Sequence, residues 1–310
     1  MSFLSRACFF LLLFILLPGA TVFASGTEKT PNRVPGPMVL STASPGGDTF
    51  PAGLFSVKNH FVAASAKLYK GSSRYDYKTP RGEKVGPRRN DTFANVFKIR
   101  YGITDRLEVN TATPFIHADI KNHSADGDWM GGLGDTTLMF RYGAKKRSED
   151  SPFAVSADFS VILPTGEVGD QEKYLATNAF GAGAGGGVSW VDKNQRVDVA
   201  GHYIVYAEGA HGIKPGDFAL FHAQYAWAVT RNFDIGAEAY YRYEQQSEVH
   251  GKGRHDAFTE AYLGPKIHIK IPEWSYMMVG AAVLFPVYRH YDSPSLSPDT
   301  RYEMSILFAF

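Results

Sequence analysis

Cysteine is nearly missing: Cys8 is the one example in 310 residues. No disulfide framework and no cysteine-based zinc site can be built from it. Neither charge sign prevails, with 32 Lys+Arg against 31 Asp+Glu. Proteins that grip nucleic acid usually carry a clear basic excess, so none is expected as a partner. A spanning helix needs about 20 apolar residues. The longest run here is Ala7–Leu17, and the mean hydropathy is −0.20. Helical spacing is nowhere sustained. The ten histidines include no H-x-x-x-H pair and no H-E-x-x-H, so neither metal nor other cofactor is expected. His250 and His255 bracket a solvated loop segment.

The first residues read as an address. Arg6 precedes the apolar run, which is followed by Pro18–Gly19 and the small-residue pattern Val22-Phe23-Ala24. A positive start, a short apolar stretch and an A-x-A-like end describe a secretory signal peptide, residues 1–24. Cleavage there leaves a chain without cysteine. Residues 25–52, with Pro31, Pro35, Pro37, Pro45, Pro51 and Gly46–Gly47, read as a periplasmic lead-in or a partial plug.

What the chain does have is aromatics, glycine and a period of two. It holds 17 Tyr, 22 Phe, 4 Trp and 31 Gly. Phe97, Ile99, Tyr101 and Ile103 share one phase, with Lys98 and Arg100 on the other. Phe153, Val155, Ala157, Phe159 and Val161 alternate with Ser156, Asp158 and Ser160. Such alternation is the strand signal. It predicts twelve strands, at 53–70, 93–103, 106–117, 134–143, 152–163, 178–191, 196–206, 217–229, 233–243, 256–270, 274–288 and 300–310. Each is long enough to cross a bilayer at a tilt, for which about 9–11 residues suffice.

The connections decide between a soluble sandwich and a membrane barrel. Odd-numbered gaps are long (71–92, 118–133, 164–177, 207–216, 244–255, 289–299), and even-numbered ones are mostly short. Strict alternation of this kind matches short periplasmic turns and longer outside loops. Aromatic residues gather near strand ends, as at Tyr101, Tyr142, Phe153, Trp190, Trp227, Phe233, Tyr243, Trp274, Tyr288 and Tyr302, where a membrane–water boundary would hold them. Residues 53–310 are therefore predicted to form an all-β, transmembrane, antiparallel up-and-down β-barrel of about twelve strands in the outer membrane.

The polar phase then lines the lumen. It collects Lys98, Arg100, Glu108, Arg141, Asp158, Arg196, Asp198, His202, Asp234, Glu238 and Arg242, with His222, Glu260, Lys266, His268 and Glu303 in the same phase. Such a row is costly against hydrocarbon and ordinary around a wet lumen. In an open pore the cations would draw anions, and the carboxylates would oppose them or pair with them and seal the path. His202, His222 and His268 could meet across the lumen.

Three stretches carry a family likeness. They are Tyr101-Gly-Ile-Thr-Asp-Arg-Leu-Glu-Val109, Gly132-Leu-Gly-Asp-Thr-Thr-Leu-Met-Phe-Arg-Tyr142 and Leu163-Pro-Thr-Gly166. In that order the chain, from about residue 50 onward, resembles the exported outer-membrane proteins named for the meta-pathway of phenol degradation, a transporter family. The last strand, alternating Tyr302, Met304, Ile306, Phe308 and Phe310, looks like the terminal signal read by the barrel-assembly machinery. The resemblance implies a barrel that passes small hydrophobic or aromatic solutes and supplies no ligand residues.

Passage of small solutes, without catalytic residues, is the expected function. One rival is a lipid-modifying enzyme, which would need Ser and His paired on the outward face; the outward phase is almost wholly apolar. Another is a structural or adhesion barrel acting through its loops. Gap 71–92, bearing Arg74, Lys78, Arg81, Lys84, Arg88 and Arg89, could meet lipopolysaccharide. Gly181-Ala-Gly-Ala-Gly-Gly186 matches G-x-G-x-x-G, but no helix follows it, so close packing or a bend in a strand is expected instead of a nucleotide.

Overall fold

The computed structural model describes residues 62–78, 84–104, 106–121, 128–145, 151–166, 178–271, 277–292 and 300–309. The expected signal peptide, the lead-in and the start of the first strand lie outside these residues. The strands are β1 (Val62–Lys78), β2 (Lys84–Gly102), β3 (Leu107–Lys121), β4 (Asp128–Leu133), β5 (Thr136–Lys145), β6 (Phe153–Leu163), β7 (Gly181–Val191) and β8 (Gln195–Tyr206). They continue as β9 (Ile213–Lys214), β10 (Phe218–Ala228), β11 (Phe233–Glu244), β12 (Glu248–Val249), β13 (Lys252–Gly253), β14 (Phe258–Ile271), β15 (Met277–Tyr291) and β16 (Thr300–Ala309).

β4 and β5 both lie against β3 and count as one interrupted strand, while β9, β12 and β13 form a small separate sheet. The remaining strands pair antiparallel in chain order, and β16 returns to β1, from Ala63↔Ala309 to Ser72↔Thr300. The wall is thus a closed ring of twelve. Closure leaves no edge with unpaired N–H and C=O groups, which is the condition for a sheet in hydrocarbon.

Side-chain exposure is inverted relative to a soluble protein. Ile267 is 41% exposed between Lys266 and His268, each at 2%, and Phe159 is 51% exposed beside Asp158 at 5%. An apolar outer face suits lipid, and charge turned inward is spared contact with it. Tyr101, Tyr142, Phe153, Trp227, Tyr243, Tyr288 and Tyr302 stand exposed on that outer face, and Trp190 and Phe233 are half-buried. Trp274 lies outside the described residues.

Two of the short turns use the same device. Thr104 Oγ1 accepts from the N–H groups of Arg106 (3.2 Å) and Leu107 (2.9 Å), and Thr230 Oγ1 accepts from Asn232 (3.2 Å). In both, a backbone bond closes the hairpin, Ile103 N–H to Leu107 O at 2.9 Å and Val229 N–H to Phe233 O at 3.0 Å. A threonine that folds its hydroxyl onto the backbone two or three residues on fixes the turn length, and with it the strand register.

The expected long gaps 71–92 and 118–133 are corrected. β1 and β2 stay paired out to Lys78↔Lys84, and β3 continues against β4 to Ile120↔Asp128. Beyond the hydrocarbon a strand needs no apolar phase, so these extensions carry no alternation to read. The connections 207–217 and 245–257 are joined through the small sheet, where β12 pairs with both β9 and β13. His250 and His255 sit there with positive φ, and no group of metal ligands forms among the described residues.

Two of the three stretches that carry the family likeness, the one around Asp135 and the one ending at Gly166, meet in space. Asp135, between β4 and β5, accepts the N–H of Gly166 on Oδ1 and of Asn178 on Oδ2, both at 3.0 Å. Thr136 N–H donates to Thr165 Oγ1 at 2.9 Å, and the Thr165 hydroxyl returns a bond to Thr136 Oγ1 at 2.8 Å. One carboxylate therefore ties both ends of the β6–β7 connection to the barrel rim. Hydrogen bonds to charged acceptors contribute about 1.5–3 kcal/mol each. Asp135→Ala is expected to lower stability by about 2 kcal/mol, allowing for partial exposure. Unfolding in detergent checks the loss, and protease should cut faster between Gly166 and Asn178.

Candidate functional site: the barrel lumen

Alternation places Lys98, Arg100, Glu108, Arg141, Asp158, Arg196, Asp198, His202, Asp234 and Glu238 on the buried side of their strands; Arg242 is half-buried there. Most of them resolve into neighbouring ion pairs near the short-turn end.

On β2, β3, β5 and β6 the pairs form a chain. Arg100 Nη2 donates to both oxygens of Glu108, at 2.5 and 2.6 Å, and Asn110 Nδ2 donates to Glu108 Oε1 at 3.0 Å. Arg141 Nη1 stands 3.8 Å from the same carboxylate. Arg141 also grips Asp158 with two bonds, Nε to Oδ1 at 2.6 Å and Nη2 to Oδ2 at 2.9 Å. Arg141 and Asp158 face each other in register across β5 and β6, which is why the fork fits the carboxylate.

Around the ring, Arg196 binds Asp198 through Nε at 2.6 Å and Nη2 at 2.9 Å, and Ser189 donates to the same carboxylate. On β10, β11 and β14, Glu238 holds His222 Nε2 and Lys266 Nζ, each at 2.8 Å, and Lys270 Nζ reaches Asp234 Oδ1 at 2.5 Å. Gln224 Nε2 lies 3.0 Å from His222 Nε2. Cations and carboxylates thus answer one another around the wall.

The three inward histidines do not meet: two have separate partners and the third has none among the described residues. His202 Nε2 and Ser160 Oγ are 2.7 Å apart, His222 belongs to Glu238, and His268 stands beside Gly280 and Ser305. Ser160–His202 has the composition of a hydrolase pair, yet His202 Nδ1 has no hydrogen-bond partner among the described residues to orient the ring. The pair also faces inward, away from lipid. Its room comes from β7: a Cβ on Gly185 would lie 2.3 Å from His202 Nδ1, and one on Gly183 would lie 2.9 Å from Ser160 Oγ. The glycine run of β7 is a notch in the wall.

Toward the long loops the lumen changes character. Ile162, Ile204, Phe218, Leu220, Tyr240, Tyr262, Ala282 and Leu284 form one buried cluster, with Tyr206 packed on it. Tyr240 and Tyr262 stack with ring centres 5.3 Å apart and planes 6° from parallel. Arg301 lies over both rings, at 4.4 and 5.3 Å, and Arg242 lies 5.1 Å from the centre of Phe218 and 5.3 Å from that of Phe258. Arg242 also bonds Glu244, and Tyr240 donates to Glu260. These inward apolar residues are absent from the sequence expectations. Their signal was parity: Tyr240 stands between Glu238 and Arg242, in the polar phase.

The same arrangement of strands is known elsewhere. An outer membrane channel from Pseudomonas putida F1 superposes with a TM-score of 0.67 at 14% identity, covering 81% of this chain and 96% of its own. The NanC porin gives 0.45 at 8% identity over 80% and 98%, and the monoaromatic hydrocarbon channel CymD gives 0.41 at 9% over 81% and 88%. Among curated proteins, none matches. The first likeness agrees with the inverted exposure and the closed ring: the fold is that of an outer-membrane barrel. The family model described as "Putative MetA-pathway of phenol degradation" matches residues 63–287, from the second residue of β1 into β15, and the chain belongs to that family.

Proposed function

We propose that this barrel gives small, mainly uncharged solutes, aromatic ones among them, a passive path across the outer membrane. The observation that carries the reading is the stacked Tyr240/Tyr262 pair within an apolar cluster at the outer half of the lumen. Such a wall adsorbs flat apolar molecules, and the guanidinium over the rings adds a polarisable face. The paired charges farther in offer no net attraction to an ion. The family's description, which names phenol degradation, points the same way.

Uptake into proteoliposomes tests this. Phenol-sized aromatics should enter faster than sugars of similar size. Tyr262→Ala should lower aromatic flux roughly 2- to 10-fold relative to glycerol, the range a lost aromatic stacking contact implies. Equal entry of sugars and aromatics would overturn the selectivity.

The same reading extends to partners and segments. Residues 1–24 would be removed on export, with 25–52 left at the periplasmic end. β16, paired on one side with β15 and on the other with β1, completes the ring, which supports its last strand as the part engaged by the assembly machinery. β2 lies in register with both neighbours, Arg74 of β1 opposite Arg89 and Arg89 opposite Lys121 of β3. The basic residues of this stretch of sequence, Arg74, Lys78, Arg88 and Arg89 among them, support an anionic neighbour such as lipopolysaccharide phosphate.

A further inference from the structure

Among the described residues, His268 has no hydrogen-bond partner on either ring nitrogen, and Ser305 has none on its hydroxyl. Both are buried, at 2% and 4% exposure. They stand on either side of Gly280 in one row of the wall, His268↔Gly280↔Ser305. A Cβ on Gly280 would lie 2.7 Å from Ser305 Oγ, 3.0 Å from His268 Cδ2 and 3.4 Å from His268 Nε2, so both side chains crowd over the one position in the row that has no side chain of its own. The pairing on β6 and β8 provides the contrast. There, too, a serine and a histidine face each other across glycines, but Ser160 and His202 close on each other at 2.7 Å.

Buried polar atoms are nearly always bonded, to protein, water or ligand. We infer that His268 and Ser305, facing each other over Gly280, form a binding site for the hydroxyl group of a neutral solute. The inference rests on the passage reading above and gives it a chemical preference. A neutral imidazole offers one donor and one acceptor, and a serine hydroxyl offers both roles. A hydroxyl matches that pair, since it donates to the bare ring nitrogen and accepts from Ser305. A carboxylate only accepts, and it would bring uncompensated charge beside groups already matched, because Lys266 holds Glu238 and Lys270 holds Asp234. A hydrocarbon satisfies none of the atoms. Sites built to bond a hydroxyl discriminate strongly against analogues that lack it.

The test uses the protein extracted in detergent from the outer membrane, with histidine rings labelled with 15N. The His268 signal is identified by its loss in His268→Gln. Phenol should shift that signal and toluene should leave it in place. Ser305→Ala should weaken phenol binding on the order of five-fold, the effect of one neutral hydrogen bond. A signal that ignores phenol, as a site holding water only would show, overturns the proposal. So does an equal response to toluene, or unchanged affinity in Ser305→Ala. Flux separates this from the passage reading. Entry of both solutes with a silent His268 sinks the site alone, whereas a responding His268 without entry of either sinks passage alone.

Discussion

Arg141→Met is expected to destabilise the barrel by about 3–5 kcal/mol, the usual effect of removing one partner from a buried ion pair. Asp158 gives both oxygens to Arg141 and is 5% exposed, so the variant strands a carboxylate inside the wall. Glu108 suffers less, because Arg100 and Asn110 continue to bond it. The double variant Arg141→Met, Asp158→Asn is therefore expected to recover most of the loss, since no unpaired charge is left. Urea unfolding in detergent reads both. Where the single variant does fold, its lumen carries one extra negative charge, and the reversal potential across a planar bilayer should move toward cation preference. A single variant as stable as the parent would show that Asp158 finds water or another cation, and the lumen would be wetter than its burial indicates.

That pairing also shows what could and could not be read from the sequence. Alternation located every one of these charges, because a residue such as Asp158 between Ala157 and Phe159 declares its phase. Arg196 and Asp198, two apart on one strand, fall in one phase by the same rule, although their bond to each other was not foreseen. The partner of Arg141 was not available, since cross-strand contacts depend on register, and register on turns whose geometry one sequence shows only in part. The Thr104 and Thr230 turns were short enough to count, whereas the β5–β6 connection, which sets Arg141 opposite Asp158, was not. Strand ends failed for a different reason. Period two is a signal written by lipid on one face, and it stops where lipid stops, so the outer halves of β1 and β2 looked like loop. The tyrosine stack was missed although its parity was visible, because apolar residues in the polar phase resemble noise until neighbouring strands bring Tyr240 and Tyr262 together.

Gly185→Ala should cost at least about 1–3 kcal/mol, the range for overpacking a tight site, although the change adds a single methyl group. Its Cβ would stand 2.3 Å from Gly201 O, 2.3 Å from His202 Nδ1 and 3.0 Å from His202 Cα. A flexible side chain could turn away from the new atom, but a backbone carbonyl bonded into the β7–β8 ladder cannot move without breaking the pairing Gly185↔His202. Gly143 supplies the control. The closest atom to a Cβ there is Arg106 O at 3.6 Å, an ordinary contact, so Gly143→Ala should be neutral within about 0.5 kcal/mol, as surface changes away from special features usually are. Adding His202→Ala to Gly185→Ala separates the two obstacles. If the imidazole is the main one, the double variant folds better than Gly185→Ala alone. If the Gly201 carbonyl dominates, the second change adds its own loss, because Ser160 forfeits its partner. Either way the glycine at this position is a demand of the neighbouring strand, and a β7 that accepted alanine without loss would mean the wall is looser here than the Ser160–His202 bond requires.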